Sequence, residues 1–373
     1  MAAFVVWASL SLVWTRDTDM TLSRAGSYLQ LAIMVWLIWE LALTEVRLAA
    51  LLYAYCMGAC VSSINAIRNL IMGMTGASEN ARKLSEYGRY APHGFDQNEF
   101  ALLLALSIPM AFYLLTRRQS FSAAILCWAQ LFLGIVAILL TGSRAGLISL
   151  LAALTILPFA LPLLRGWKRR ICWAALPCIV ACAVVLVPPT TWGRLLTTSS
   201  EISAGTLDLR TVIWAAGLNV FRQHPFIGVG AGAFGPSVVD AIDMNYVAHN
   251  SFLSILVELG IVGFLILLAL LTSMLYLAVR MGGLDQWLWI VLLLTWAAGV
   301  SSLTWEYRKT TWFLFGMIAA EGSLTRTGRR PGATAIARQV FAGRTHSRPL
   351  LSVQSDSEMI QGTGERPGLR RFV

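Results

Sequence analysis

Long apolar segments constrain this chain more than any other feature of its sequence. A helix of about 20 apolar residues is long enough to cross the hydrocarbon core of a bilayer. Hydrophobic residues make up 57% of the 373 residues and charged residues only 13%, too few to cover the surface of a soluble domain. We therefore predict an all-α polytopic membrane protein with about ten transmembrane helices. The apolar segments are 3–14, 29–44, 48–64, 99–116, 121–140, 145–164, 171–188, 251–279, 286–303 and 310–321.

The first and last of these segments are short for a full crossing. Residues 1–14 lack the small-residue cleavage site of a secretory signal, and we interpret them as a short first span.

Basic residues in the connections indicate the orientation of the spans, because cytoplasmic loops carry an excess of Lys and Arg. Alternation of sides places the basic groups in the cytoplasm; they are Arg47, 117–118, 165–170, Arg280 and the tail. The same alternation places four connections outside, namely 65–98, 141–144, 189–250 and 304–309. Arg308 and Lys309, beside Glu306, are exceptions to this rule. The formal net charge of +10 therefore fits contact with anionic membrane lipids, and no nucleic-acid partner is expected.

These patterns predict three regions. Residues 1–98 hold the N-terminal transmembrane segments and the first outer loop, and 99–321 form a core with the outer loop 189–250. Residues 322–373 are rich in Arg, Gly, Ser and Thr and poor in apolar periodicity, so we predict a disordered basic cytoplasmic tail.

The six cysteines all lie inside apolar segments, and none forms a C-x-x-C pair. We interpret them as small packing residues rather than as metal ligands or disulfides. No outward cluster of acids has metal-ligand spacing, so no metal and no other cofactor is expected.

The loop 189–250 is much longer than most connections between helices, and such loops are usually functional or disordered. Asp208 is a suitable cap for a helix at 209–222, which carries a partial apolar stripe. Pro225 then ends the helix, because the residue before a proline avoids helical angles. We predict a helix lying along the membrane surface, with Trp214 in the interfacial region.

Glycines follow this helix, and Gly230, Gly232 and Gly235 fit G-x-G-x-x-G. A dinucleotide site would need a preceding strand, and the four residues 224–227 are too short and contain Pro225. We therefore reject that site and predict a tight, close-packed backbone path, with amides available to an anion.

Candidate site residues surround this loop. His249 precedes a long apolar segment, where it is either a catalytic base or a hydrogen-bonding structural residue, with Asn250 beside it as a possible supporting residue. Glu258 lies within that segment, and an acid there is a functional candidate because its burial is costly. Arg144, at an outer span end, and Arg210, in the first turn of the loop helix, both suit an anionic ligand. They could equally pair with Asp208, Glu201 or lipid headgroups.

Several motifs, taken in order, resemble the O-antigen ligase and O-antigen polymerase superfamily over roughly 90–320. They are Thr-Gly-Ser-Arg at 141–144, Arg-x-x-x-Trp at 210–214, His-Pro-x-x-Gly-x-Gly at 224–230, His-Asn-x-x-Leu at 249–253 and Glu-x-Gly at 258–260. Residues 91–106, with Asp96, Asn98 and Glu99 entering a span, are also similar to the family's stretch before its core.

The resemblance implies a multi-spanning glycosyltransferase at the periplasmic face of the bacterial inner membrane. Its donor would be a glycan on undecaprenyl pyrophosphate, and its acceptor another glycan or the lipid A core. His249 matches the family's catalytic histidine, and Arg144 and Arg210 match its pyrophosphate-binding arginines. We interpret His224, which matches a further loop position, as structural. The expected reaction inverts the anomeric centre and needs no metal.

Two alternatives stay open. The same site serves an O-antigen ligase and an O-antigen or exopolysaccharide polymerase, so the motifs do not separate them. A transporter or flippase of polysaccharide intermediates is the alternative from another class. Transporters concentrate ionisable groups near the bilayer midplane, where only Glu40 and Glu258 are candidates here.

Overall fold

The computed structural model describes residues 1–72, 88–117, 120–196, 209–243 and 245–326. Within these ranges the secondary structure is helical, without a strand. The helices are α1 (Ala2–Leu10), α2 (Thr18–Leu41), α3 (Glu45–Ile71), α4 (Gln97–Thr116), α5 (Phe121–Leu140), α6 (Arg144–Leu154), α7 (Leu157–Ala160), α8 (Gly166–Leu186), α9 (Pro189–Leu196), α10 (Arg210–Gln223), α11 (Phe234–Ile242), α12 (Ser251–Met281), α13 (Gly283–Val300) and α14 (Lys309–Arg326). Asp208, Glu201 and the predicted tail beyond Arg326 lie outside the described residues.

The predicted polytopic fold is confirmed. Among the described residues, seven helices are long and apolar enough to cross a membrane: α3, α4, α5, α8, α12, α13 and the combined segment Arg144–Leu163. The three other predicted segments lie on α1, α2 and α14, so helices occupy all ten. α1 is short even when the 3-10 turn Ser11–Val13 extends it, as its sequence predicts.

Polar residues at the helix starts explain why the helices begin where they do. The first turn of a helix leaves backbone N–H groups without partners, and a side-chain oxygen at the preceding position can accept from them. Six helices are capped in this way, by Asp17, Thr44, Asp96, Ser120, Ser143 and Asn250.

Helix α4 lies at the centre of the bundle and is buried along nearly its whole length. It packs against α3, α5, α6 and α13. Gly146 of α6 allows one of these close approaches, because a Cβ at this position would overlap the Cβ of Ala101. Small residues at such contacts let transmembrane helices pack through van der Waals contact.

The connections group at two ends of the bundle, as the alternation of sides predicts. At one end Thr191 Oγ1 donates to the Gly88 carbonyl (2.5 Å), Ser143 Oγ donates to Asn98 Oδ1 (2.7 Å), and the His249 N–H donates to Thr304 Oγ1 (2.9 Å). The four predicted outer connections are therefore joined to one another.

At the other end, the Arg117 guanidinium contacts Asp285 (2.8 Å) and Glu45 (3.4 Å). The outer exception Arg308 also has a partner, because it forms an ion pair with Glu99 and stacks over the Tyr307 ring at 5.1 Å.

Candidate active site

The loop helix predicted at 209–222 is α10, Arg210–Gln223, so its predicted bounds are confirmed to within one residue. The predicted cap is wrong in position. Leu209, not Asp208, occupies the N-cap, with a left-handed φ of 66° and no side-chain hydrogen bond. The helix ends before Pro225, and His224 has the non-helical φ of −130° expected next to a proline.

Helix α10 buries half of its apolar stripe against protein. Ile213, Ala216 and Val220 pack with α11 and α12, whereas Val212 and Leu218 are exposed. The predicted position of the helix along the membrane surface stays a prediction.

The Arg-x-x-x-Trp spacing places two side chains on the same face of α10. Residues four apart lie on one helix face, so Arg210 and Trp214 point to the same side. Trp214 is half-buried, and its indole N–H donates to the Ala248 carbonyl at 2.9 Å. This hydrogen bond ties the face that carries Arg210 to the residue before His249.

His249 is half-buried and has an unusual backbone conformation. Its φ of 47° lies in the left-handed region, which a residue other than glycine seldom adopts. The His249 N–H donates to Thr304 Oγ1. Ser251 Oγ donates to the Leu303 carbonyl (2.8 Å) and accepts from the Trp305 N–H (2.7 Å). Three hydrogen bonds therefore join the start of α12 to the connection between α13 and α14.

The surroundings of His249 favour its neutral form. Burial lowers the pKa of the imidazole, the charge of Arg210 lowers that pKa further, and the carboxylate of Asp96 raises it. The two charges therefore act on the imidazole in opposite directions. A neutral imidazole can accept a proton, as a general base must.

Asn250 has a defined structural role. Its side-chain oxygen accepts from the N–H groups of Phe252 (3.0 Å) and Leu253 (3.1 Å), which caps α12. Asn250 therefore supports the site by starting α12 directly after His249.

Arg144 is the first residue of α6, at the same end of the bundle and half-buried. The preceding Ser143 caps α6 and donates to Asn98 Oδ1, which also accepts from Arg89 Nη2 at 2.9 Å. Asn98 lies in the first turn of α4, two residues after Asp96, the carboxylate that acts on His249. The starts of α4 and α6 are therefore joined to each other through Ser143 and Asn98.

Four helices, α4, α6, α10 and α12, begin around this region. A helix N-terminus carries partial positive charge on its unpaired N–H groups, and two of these helices begin with arginine. The arrangement favours a negatively charged ligand.

Glu258 belongs to a different, buried cluster. Its carboxylate accepts from the Gly232 N–H (2.7 Å), and Ser254 Oγ lies 3.3 Å from Glu258 and 3.1 Å from Glu306. Arg24 supplies the nearby positive charge, and its guanidinium stacks on Tyr307 at 3.4 Å. Among the described residues no hydrogen bond or ion pair joins Glu258 to His249.

The glycine-rich segment has the predicted close-packed path. Helix α12 is broken at Gly260, where φ is 66°. The Val229 and Gly230 N–H groups donate to the carbonyls of residues 257 and 258 at 3.1 and 2.8 Å. A Cβ on Gly228 would overlap the Glu258 carbonyl, and its φ of 72° also favours glycine. Within its described residues this segment contains no strand.

Sequence reasoning missed several residues of this region, namely Arg24, Arg89, Thr304 and the partner role of Glu306. Arg89 and Arg308 could have been found from the sequence, because both are cations in connections predicted to lie outside, where cations are under-represented. Within the described ranges, no group of three His, Cys, Asp or Glu side chains could hold a metal ion.

Comparison with known families supports the resemblance predicted from the motifs. Residues 129–268 match the family model described as O-Antigen ligase. No curated protein matches the chain. The matched segment runs from α5 into α12 and contains Arg144, Arg210 and His249. The resemblance to the O-antigen ligase and polymerase superfamily is thus confirmed, and the chain has the apolar helices of a multi-pass membrane protein.

Proposed function

We propose that this protein transfers a glycan from undecaprenyl pyrophosphate to a sugar hydroxyl at the periplasmic face of the bacterial inner membrane. The acceptor is another glycan or the lipid A core. The observation that supports the proposal most directly is the hydrogen bond from Trp214, on the helix face of Arg210, to the Ala248 carbonyl next to His249.

His249 acts as the general base in this proposal. A sugar hydroxyl is a weak nucleophile, and removal of its proton during attack on the anomeric carbon accelerates the reaction. The imidazole accepts that proton, and the new glycosidic bond forms as the bond to the pyrophosphate oxygen breaks. Attack from the face opposite the leaving group inverts the anomeric centre.

Arg144 and Arg210 bind the pyrophosphate. A guanidinium presents several N–H donors in a planar fork that matches phosphate oxygens, and it keeps its charge at all relevant pH values. The leaving pyrophosphate is already a stable anion, so it needs charge stabilisation rather than a general acid. The two arginines and the N-termini of α6 and α10 supply this stabilisation, and the proposed reaction needs no metal.

We assign the reaction to a core at 99–321, with 1–98 as supporting transmembrane segments and 322–373 as a basic cytoplasmic tail. The first region supports the core directly. Trp7 Nε1 donates to the Leu259 carbonyl (3.0 Å), and the Ala231 N–H donates to Ser11 Oγ (3.0 Å).

The proposal is tested by complementing a deletion strain with wild-type protein or His249→Ala. We expect normal amounts of the variant in the membrane and a loss of glycan transfer of about 10²–10⁴-fold. His93→Ala is the matched control, because His93 is an exposed histidine at the same end of the bundle. Wild-type transfer by His249→Ala would refute the role of the imidazole.

The lipid-linked intermediates that accumulate in the deletion strain separate the enzyme classes. Long lipid-linked chains indicate a ligase, and single lipid-linked repeats indicate a polymerase. A transporter or flippase would form no glycosidic bond, so purified protein with lipid-linked donor and acceptor distinguishes that alternative. Arg210→Lys in the same assay should weaken donor binding, because lysine lacks the bidentate fork.

A further inference from the structure

An apolar strip runs along the exposed face of α1 and continues onto the loop that follows α10. Val6 and Leu10 lie four residues apart on one face of α1, and Val13 follows in the 3-10 turn Ser11–Val13. Their exposed fractions are 56%, 48% and 83%. Phe226 and Ile227 extend the strip, with 70% and 40% exposed.

The two parts of the strip are held together by a direct contact. Trp14 Nε1 donates to the Ile227 carbonyl at 3.1 Å, and the Arg16 N–H donates to the Val229 carbonyl at 3.0 Å. The exposure of Phe226 is therefore a fixed property of the fold, since the turn that carries it is tied to the end of α1.

The break in α12 at Gly260 indicates how deep in the bilayer the turn at 225–227 lies. The N–H groups of Ile261 and Val262 donate to the carbonyls of Pro225 (2.9 Å) and Phe226 (3.3 Å), so the turn lies level with Gly260. The part of α12 from Gly260 to its end at Met281 is about 30 Å long at 1.5 Å per residue. This length matches the hydrocarbon thickness of about 30 Å.

The exposure pattern along α12 agrees with that depth. All of α12 is described, and its exposed large apolar side chains begin at Leu265, below the turn. The part from Ser251 to Gly260 is covered by protein. Phe226 thus lies where the lipid-facing surface of α12 begins.

The Arg16 guanidinium lies next to the strip at its upper end, where it contacts His224. Arg16 Nη2 lies 3.1 Å from His224 Nε2, and both residues are within three positions of exposed apolar residues of the strip. An arginine beside an apolar surface at the bilayer boundary suits the phosphate level of the headgroups.

We propose that Val13, Phe226 and Ile227 form a membrane wedge seated in the bilayer leaflet on the side of the candidate site. The wedge, rather than the length of α10, anchors the 209–243 segment to the membrane. The wedge also fixes the position of α10 relative to the membrane surface. The His224 N–H donates to carbonyls of α10, and Pro225 connects His224 to the wedge. The inference needs only a membrane-spanning chain and is independent of the proposed reaction.

The wedge is tested with the photoreactive amino acid benzoylphenylalanine at single positions in the full-length protein. The protein is reconstituted in nanodiscs of phosphatidylethanolamine and phosphatidylglycerol, irradiated, and analysed by intact mass spectrometry for lipid adducts. Positions 226 and 13 are tested, with Leu265 as the lipid-facing control and the exposed Asp240 of α11 as the solvent-facing control.

We expect lipid adducts at 226 and 13 with yields close to that at 265, and at least fivefold less at 240. Adducts at 265 without adducts at 226 would overturn the proposal. Equal yields at 226 and 240 would also overturn it, as would a protein adduct in place of lipid at 226. Because the replacement at 226 is aromatic and the position is exposed, the variant keeps the fold, and a thermal melt matching wild type verifies this.

Discussion

The backbone N–H of His249 donates to the side-chain oxygen of Thr304 at 2.9 Å, across 55 positions of sequence. Thr304 is buried, and His249 is in a left-handed conformation that the surrounding structure must maintain. The connection between α13 and α14 therefore holds the backbone of His249, although this connection lies outside the segment that matches the ligase family.

Removing the Thr304 acceptor should impair transfer more than it impairs folding. Thr304→Val is nearly isosteric but leaves the His249 N–H without its partner, a loss of about 1–3 kcal/mol. We expect transfer to fall at least tenfold, with rescue by Thr304→Ser. Steady-state transfer by the purified variants measures this. Thr295→Val removes a buried hydroxyl that bonds only within α13 and should leave the rate unchanged. Equal rates for Thr304→Val and wild type would exclude a positioning role.

The pH dependence of transfer should shift in opposite directions when the two charged neighbours of His249 are removed. A base must be neutral to work, so the rate should fall as pH decreases through the pKa of His249. Burial and Arg210 lower this pKa, and Asp96 raises it. Arg210→Gln removes a positive charge, so it should raise the pKa and move the acidic limb to higher pH.

Asp96→Asn should move the same limb to lower pH, and asparagine retains the ability to cap α4. Rate profiles of the purified variants between pH 5 and 8 would measure both shifts, a range chosen around the ordinary histidine value of about 6.5. Shifts in the same direction would contradict the electrostatic interpretation.

Gly228→Ala should destabilise the protein because two constraints act at this position. The φ of 72° disfavours alanine, and the added Cβ would overlap the Glu258 carbonyl. We expect a lower unfolding temperature and a loss of at least about 2 kcal/mol. Gly26→Ala is the control, since nothing lies within 4 Å of its Cβ position and alanine favours the interior of α2. Thermal unfolding in detergent measures both, and an unchanged melt for Gly228→Ala would contradict the close packing.

The buried cluster around Glu258 should depend on the charge of Arg24. Ser254 has one hydroxyl hydrogen and can donate to only one of the two carboxyls, Glu258 or Glu306. For both hydrogen bonds to form, the other carboxyl must be protonated and donate to the Ser254 oxygen. Burial raises the pKa of Glu306, which favours its protonated form. One arginine then balances one carboxylate.

Arg24→Met should therefore destabilise the protein by on the order of 3 kcal/mol, because a buried carboxylate loses its counter-charge. Glu306→Gln should be mild by itself because that carboxyl is already neutral, whereas Glu258→Gln should relieve part of the Arg24→Met defect in the double variant. A double-mutant cycle on thermal unfolding measures the coupling, with Arg222→Met as a control for loss of an exposed arginine. Strict additivity would show that the two side chains act independently.

The sequence predicted most of the helices because apolar periodicity and length depend on local composition. The ten segments, the loop helix and its end before Pro225 were all identified in this way. The start of α10 was misplaced because Leu209 adopts a left-handed conformation, which no local residue preference predicts for leucine. The roles of Arg144, Arg210 and His249 stay predictions that the proposed experiments address.

By itself, the sequence determined that this chain enters a membrane, which connections share a side, and where its loop helix lies. These properties follow from hydrophobic burial and charge, which act along contiguous residues. Only the tertiary structure decided that Asp96 acts on His249, that Thr304 accepts its N–H, and that Glu258 joins Arg24 and Glu306. Those pairings connect residues from about 50 to more than 230 positions apart, and helix packing selects them because buried polar groups must find partners wherever the chain brings them.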